Sequence, residues 1–128
     1  MRLTSVCAAA LILATLCSVG CWLCYYKGPV TDDMVVGEYE YVSMTGVRDE
    51  RVGDRAVLKA DHTYVLTRAA RSGSHAEETG RWTLEESGDT WAVGIDNFGY
   101  VVRITRSEVQ LLRNDDLGLM FMRPRKRR

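Results

Sequence analysis

Beyond residue 24 the chain has no cysteine: Cys7, Cys17, Cys21 and Cys24 all fall in the first 24 residues. An even cysteine count ordinarily suggests a disulfide framework. Here that inference fails, because the part long enough to fold has no thiol to pair. Histidine is nearly as scarce, with only His62 and His75, so a zinc site lacks its ligands. A Gly-rich phosphate loop, a nucleophile elbow and an H-E-x-x-H pattern are all missing. No segment after Tyr26 keeps a helical period. The expectation is therefore no catalytic residue, no metal, no cofactor and no enzymatic activity.

Positive charge is also short in the body. Between Gly28 and Met122 there are 17 acidic and 10 basic residues, a net of −7, although the whole chain is formally neutral. The balance is restored by the end, where Arg123-Pro124-Arg125-Lys126-Arg127-Arg128 carries five cations. An acidic body without aromatics interleaved among basic residues argues against nucleic acid as a partner.

Charge is absent altogether from Leu3 to Tyr26. That length suits a membrane-spanning helix. Residues 1–27 are therefore read as a signal segment or membrane anchor, and residues 28–34 as a linker. Within the segment, the apolar run Ala8 to Leu16 is followed by Ser18-Val19-Gly20-Cys21. Small residues ending in cysteine resemble the lipobox of bacterial lipoproteins, which implies cleavage after Gly20 and lipidation of Cys21. Ser18 stands where that family usually has leucine. An uncleaved signal anchor remains the alternative. On either reading the body is tethered to a membrane and expected outside the cytoplasm. Cys21-Trp22-Leu23-Cys24 is formally a C-x-x-C, but it has neither a second ligand pair nor a folded setting.

What the chain does have is alternation. Gly80-Arg81-Trp82-Thr83-Leu84-Glu85 sends Trp82 and Leu84 one way and the polar residues the other, the period of a half-buried strand. Val35 to Met44, Ala56 to Lys59, Thr63 to Arg68, Thr90 to Ile95, Tyr100 to Thr105, the stretch around Val109 and Leu111, and Leu119 to Met122 follow the same rule. About eight short strands joined by polar turns predict an all-β antiparallel meander over residues 35–122, closed as a small barrel or folded as a β-sandwich. Trp82, Trp91 and Phe121 are its expected core aromatics. Residues 123–128 form a basic tail.

One turn can be specified. If Leu58 and Tyr64 face the same core, Ala60-Asp61-His62 is a three-residue hairpin loop whose last residue takes the left-handed conformation. Histidine tolerates that better than most non-glycine residues. On this account His62→Gly is neutral or stabilising by up to about 1 kcal/mol. The acidic clusters Asp96-Asn97 and Asn114-Asp115-Asp116 lack the alternation of a calcium loop and are read as turns.

Gly37-Glu38-Tyr39, Leu58-Lys59-Ala60-Asp61-His62-Thr63-Tyr64 and Gly80-Arg81-Trp82, in that order, resemble small lipocalin-like β-barrel domains of bacterial envelope lipoproteins. The resemblance implies a barrel and an envelope, periplasmic setting, and no chemistry. Two functions follow as expectations. One is a binding module for a small apolar ligand, an envelope component or a partner protein. The other is an accessory subunit of an envelope complex with a filled barrel. A cavity of a few hundred Å³ would mark the first.

Overall fold

The computed structural model describes residues 25–69 and 76–124. The leader with Cys21, the loop with His75, and Arg125 to Arg128 lie outside the described residues. The elements are one helical turn, α1 (Asp32–Val35), and nine strands: β1 (Gly37–Ser43), β2 (Arg55–Leu58), β3 (Thr63–Arg68), β4 (Ala76–Arg81), β5 (Thr83–Ser87), β6 (Thr90–Ile95), β7 (Phe98–Ile104), β8 (Glu108–Asn114) and β9 (Leu119–Pro124). All strand pairings are antiparallel, in the order β4-β3-β2-β1-β9-β8-β7-β6-β5. The first and last strands of the meander pair with each other, and the sheet wraps into a nearly closed barrel.

The gap in the barrel falls in the middle of the sequence, at Trp82. A single strand was expected over Gly80 to Glu85. Instead β4 pairs only with β3, β5 pairs only with β6, and the two meet end to end at Trp82. The alternation persists through the corner, which is why it cannot be seen from spacing. Trp82 is 1% exposed, its indole N–H donates to the Lys59 carbonyl at 2.9 Å, and its amide donates to the His62 carbonyl at 2.8 Å. A buried indole needs such a partner, and the partner here is the β2–β3 turn.

That turn has the expected geometry. Leu58 pairs with Tyr64, both are buried, and His62 has φ 66°. The first strand is shorter than its alternation suggests. Asp32 to Val35 closes a helical turn through a 3.0 Å bond from the Val36 amide to the Asp32 carbonyl. The strand then starts at Gly37, whose φ of 147° lies where side chains are rarely tolerated. Val35 keeps its inward position from this turn, and Tyr39 Oη donates to its carbonyl at 2.6 Å.

The core is packed with aromatics. Trp82, Tyr39, Tyr41 and Phe121 are its largest fully buried side chains, with Tyr41 and Tyr100 each edge-on to Phe121. Val30 and Val35 close one end of the barrel by joining this cluster. Trp91 shares the inward face of β6 with Val93 and Ile95 but is only half-buried, because β5 beside it is an edge of the sheet.

Candidate functional site

At the end of the barrel away from α1, the packing leaves a cavity of about 200 Å³. Its floor is apolar, built from Leu66, Ile95 and Phe121, and its rim holds three guanidinium groups and two carboxylates. Those charges arrive from four places in the fold: the β1–β2 loop, β3, the β6–β7 turn and β8.

Arg68, at the end of β3, is held by a fork of bonds to Glu78 on β4: Nε to Oε1 at 2.8 Å and Nη2 to Oε2 at 3.1 Å. The guanidinium donating to its carboxylate holds Glu78 below its ordinary value. Asp96 approaches Arg68 Nη2 at 3.6 Å. It is placed there by a two-residue hairpin between Ile95 and Phe98, in which Asp96 and Asn97 take φ of 50° and 63°. Tight hairpins of this kind need two left-handed residues, and Asp and Asn are the usual non-glycine occupants. Asp54, just before β2, is 3% exposed. It accepts from the Ala69 amide at 2.7 Å and lies 4.0 Å from Arg68 Nη1.

The other two cations are held differently. Arg113 on β8 lies over the ring of Phe98 at 4.1 Å from its centroid and donates weakly to Tyr100 Oη at 3.4 Å. Arg51, in the β1–β2 loop, sits 3.6 Å from Asp49. Beneath them is Tyr41. Its hydroxyl is buried without a hydrogen-bond partner among the described residues, and burial pushes its pKa up to about 12, with Asp49 adding to the rise and Arg113 and Arg51 opposing it. A larger, open hollow of about 540 Å³ is lined by Ser43 and by β1–β2 loop residues between Gly46 and Val52.

Sequence reading placed none of these residues at a site. Arg51 reaches the mouth from the charged β1–β2 loop, and Asp54 at the end of that loop is buried. The rim spans residues 51 to 113 in sequence, so no local spacing could have revealed it. Asp96-Asn97 and Asp115-Asp116 are in turns, and Asn114 ends β8; among the described residues no three His, Cys, Asp or Glu side chains are grouped to hold a metal ion.

Comparison with known proteins finds no matching family, curated protein or solved structure.

The geometry alone therefore limits the chemistry. Donors dominate the rim: Arg51, Arg113 and the Tyr100 hydroxyl. Arg68 is already committed to Glu78, Asp54 and Asp96. The mouth suits a small polar or acidic group, and its volume falls short of the several hundred Å³ of drug-sized ligand pockets.

Proposed function

We propose that this chain is a membrane-tethered, extracytoplasmic β-barrel of the bacterial envelope lipoprotein kind, and that it works as an interaction module. Cys21 is its lipidation site, with a retained apolar helix as the alternative tether. The domain acts as an accessory subunit that offers its arginine-ringed mouth to an acidic group of a partner protein or envelope component.

The observation that carries this reading is how the interior is filled. Trp82, Tyr39, Tyr41 and Phe121 occupy the space where a lipocalin-like binder would hold an apolar ligand, and the residual cavity is at the polar end. The uncharged run from Leu3 to Tyr26, ending in small residues before Cys21, supports the tether.

Nuclear magnetic resonance titration tests the mouth. An acidic peptide should shift the amides of Asp96, Asn97 and Arg113, and Arg113→Gln should abolish those shifts. A neutral apolar probe such as N-phenyl-1-naphthylamine should bind no tighter than it does to an unrelated small protein. Tight binding of the probe, with shifts at Leu66, Ile95 and Phe121, would restore the apolar-ligand module.

A further inference from the structure

The two ends of the described chain lie at one corner of the barrel. The Tyr26 amide donates to the Ile104 carbonyl at 2.9 Å. Ile104 pairs with Val109, and Val109 pairs with Arg123. Tyr26 and the end of β9 are thus separated by three strand spacings, roughly 14 Å. Tyr26 and Arg123 therefore lie at the same end of the barrel, although they are 97 positions apart in sequence.

The leader also approaches from a defined side. The Arg103 guanidinium lies 5.0 Å from the centroid of the Tyr25 ring. Arg103 is on the outward face of β7, bonded through Nε to Gln110 Oε1 at 2.6 Å. Val42, Met120, Leu112, Val101 and Ala92 share that outward side in direct cross-strand register, with Met120 and Leu112 buried. Tyr25 is four positions after Cys21, a reach of about 14 Å when fully extended. If the chain is anchored at Cys21, or by a helix ending near Tyr26, this corner has nowhere to go but the bilayer surface.

From these relations, and resting on the tether reading above, we propose that the corner formed by Tyr25, Tyr26, the β7–β8 turn and the end of β9 is a membrane-facing surface selective for anionic lipid headgroups. Lys27 and Arg106 are exposed there. Arg125, Lys126, Arg127 and Arg128 follow directly from Pro124, and Glu108, in register with Pro124, is the facing carboxylate. Tyr25 and Tyr26, both largely exposed, are the side chains that suit a headgroup layer. A basic cluster beside an anchor adds electrostatic attraction to an attachment already made. The mouth, with its acidic Asp96, then faces away from the lipid.

The full chain in bilayer discs carrying a headgroup-linked gadolinium chelate tests this. With phosphatidylglycerol present, the amides of Tyr26, Arg106 and Ser107 should broaden several-fold more than those of Asn97 and Asp116. Replacing Arg125 to Arg128 with serine should reduce that contrast to its value in pure phosphatidylcholine. Equal broadening at both ends, or a contrast that ignores lipid charge and the serine variant, overturns the proposal while leaving the tether intact. A chain that does not enter the discs at all overturns the tether reading instead.

Discussion

The imidazole of His62 lies flat on the indole of Trp82, with ring centroids 4.3 Å apart and planes 10° from parallel. The same imidazole places Nε2 2.6 Å from Asp32 Oδ2. One turn residue thereby joins the β2–β3 hairpin, the corner between β4 and β5, and α1. The left-handed backbone at His62 is as expected from the sequence, but the side chain is not idle. Glycine here relieves the backbone by up to about 1 kcal/mol and forfeits a ring stack of about 0.5–1.5 kcal/mol together with the partly exposed Asp32 contact. His62→Gly is expected to destabilise by about 1 kcal/mol on these terms, and His62→Asn, which keeps the backbone preference, by a similar amount. Urea melts of both variants check it. A gain in stability for His62→Gly returns the residue to a purely conformational role.

Tyr41 provides a second prediction. Its hydroxyl is buried and unpartnered among the described residues, so Tyr41→Phe should be neutral or stabilising by about 1 kcal/mol. The folded state holds the phenol proton to about pH 12, while the unfolded chain releases it near its ordinary value of about 10. The native protein thus binds the extra proton, and Tyr41's contribution is intact below about pH 10 and lost as pH rises toward 12. The variant should lose less stability than the parent across that alkaline window. Burial also raises Tyr39, Tyr64 and Tyr100, so the slope should shrink without vanishing.

The Glu78 carboxylate shifts the opposite way, its pKa lowered by Arg68. A depressed carboxylate stabilises above its unfolded pKa, and that contribution disappears as pH falls through the folded value. The pair is about 40% exposed, which keeps its worth to about 0–1 kcal/mol. Glu78→Gln should lower the midpoint of thermal unfolding at about pH 6 and leave it unchanged at about pH 2. Asp61, lowered by its bonds from Thr63, contributes in the same direction and is unaffected by the substitution.

Gly80 is paired with Tyr64, whose ring would lie 2.7 Å from any added Cβ. Alanine there displaces a buried aromatic of the core. Gly80→Ala is expected to cost about 1–3 kcal/mol. In a double-mutant cycle with Tyr64→Leu the two losses should be less than additive, since the smaller side chain makes room. Strict additivity would place the strain elsewhere.

Much of the architecture could be read along the chain. Trp82 and Leu84 alternating with Arg81, Thr83 and Glu85, and Tyr39 and Tyr41 alternating with Glu38 and Glu40, report a pleat that sees core on one side only. The three-residue loop between Leu58 and Tyr64 follows from parity. The corner at Trp82 escaped because a bend that keeps the inward residue inward leaves the alternation unbroken. The turn α1 escaped because Val35 is buried whether helical or extended. Arg123, counted with the basic tail, instead donates to the Met34 carbonyl at 2.7 Å and lies over Tyr39, a contact across 89 positions that no local pattern carries.

By itself, the amino-acid order determined the inward face of most strands, the hairpin at His62 and that the domain is all-β, because these depend on neighbours one to four positions away. Tertiary structure alone decided that Arg51, Arg68 and Arg113 share one mouth with Asp54 and Asp96, and that Tyr26 and Pro124 leave the barrel at the same end. Those meetings depend on how nine strands wrap and close, and burying the aromatic face against itself is the force that closes them.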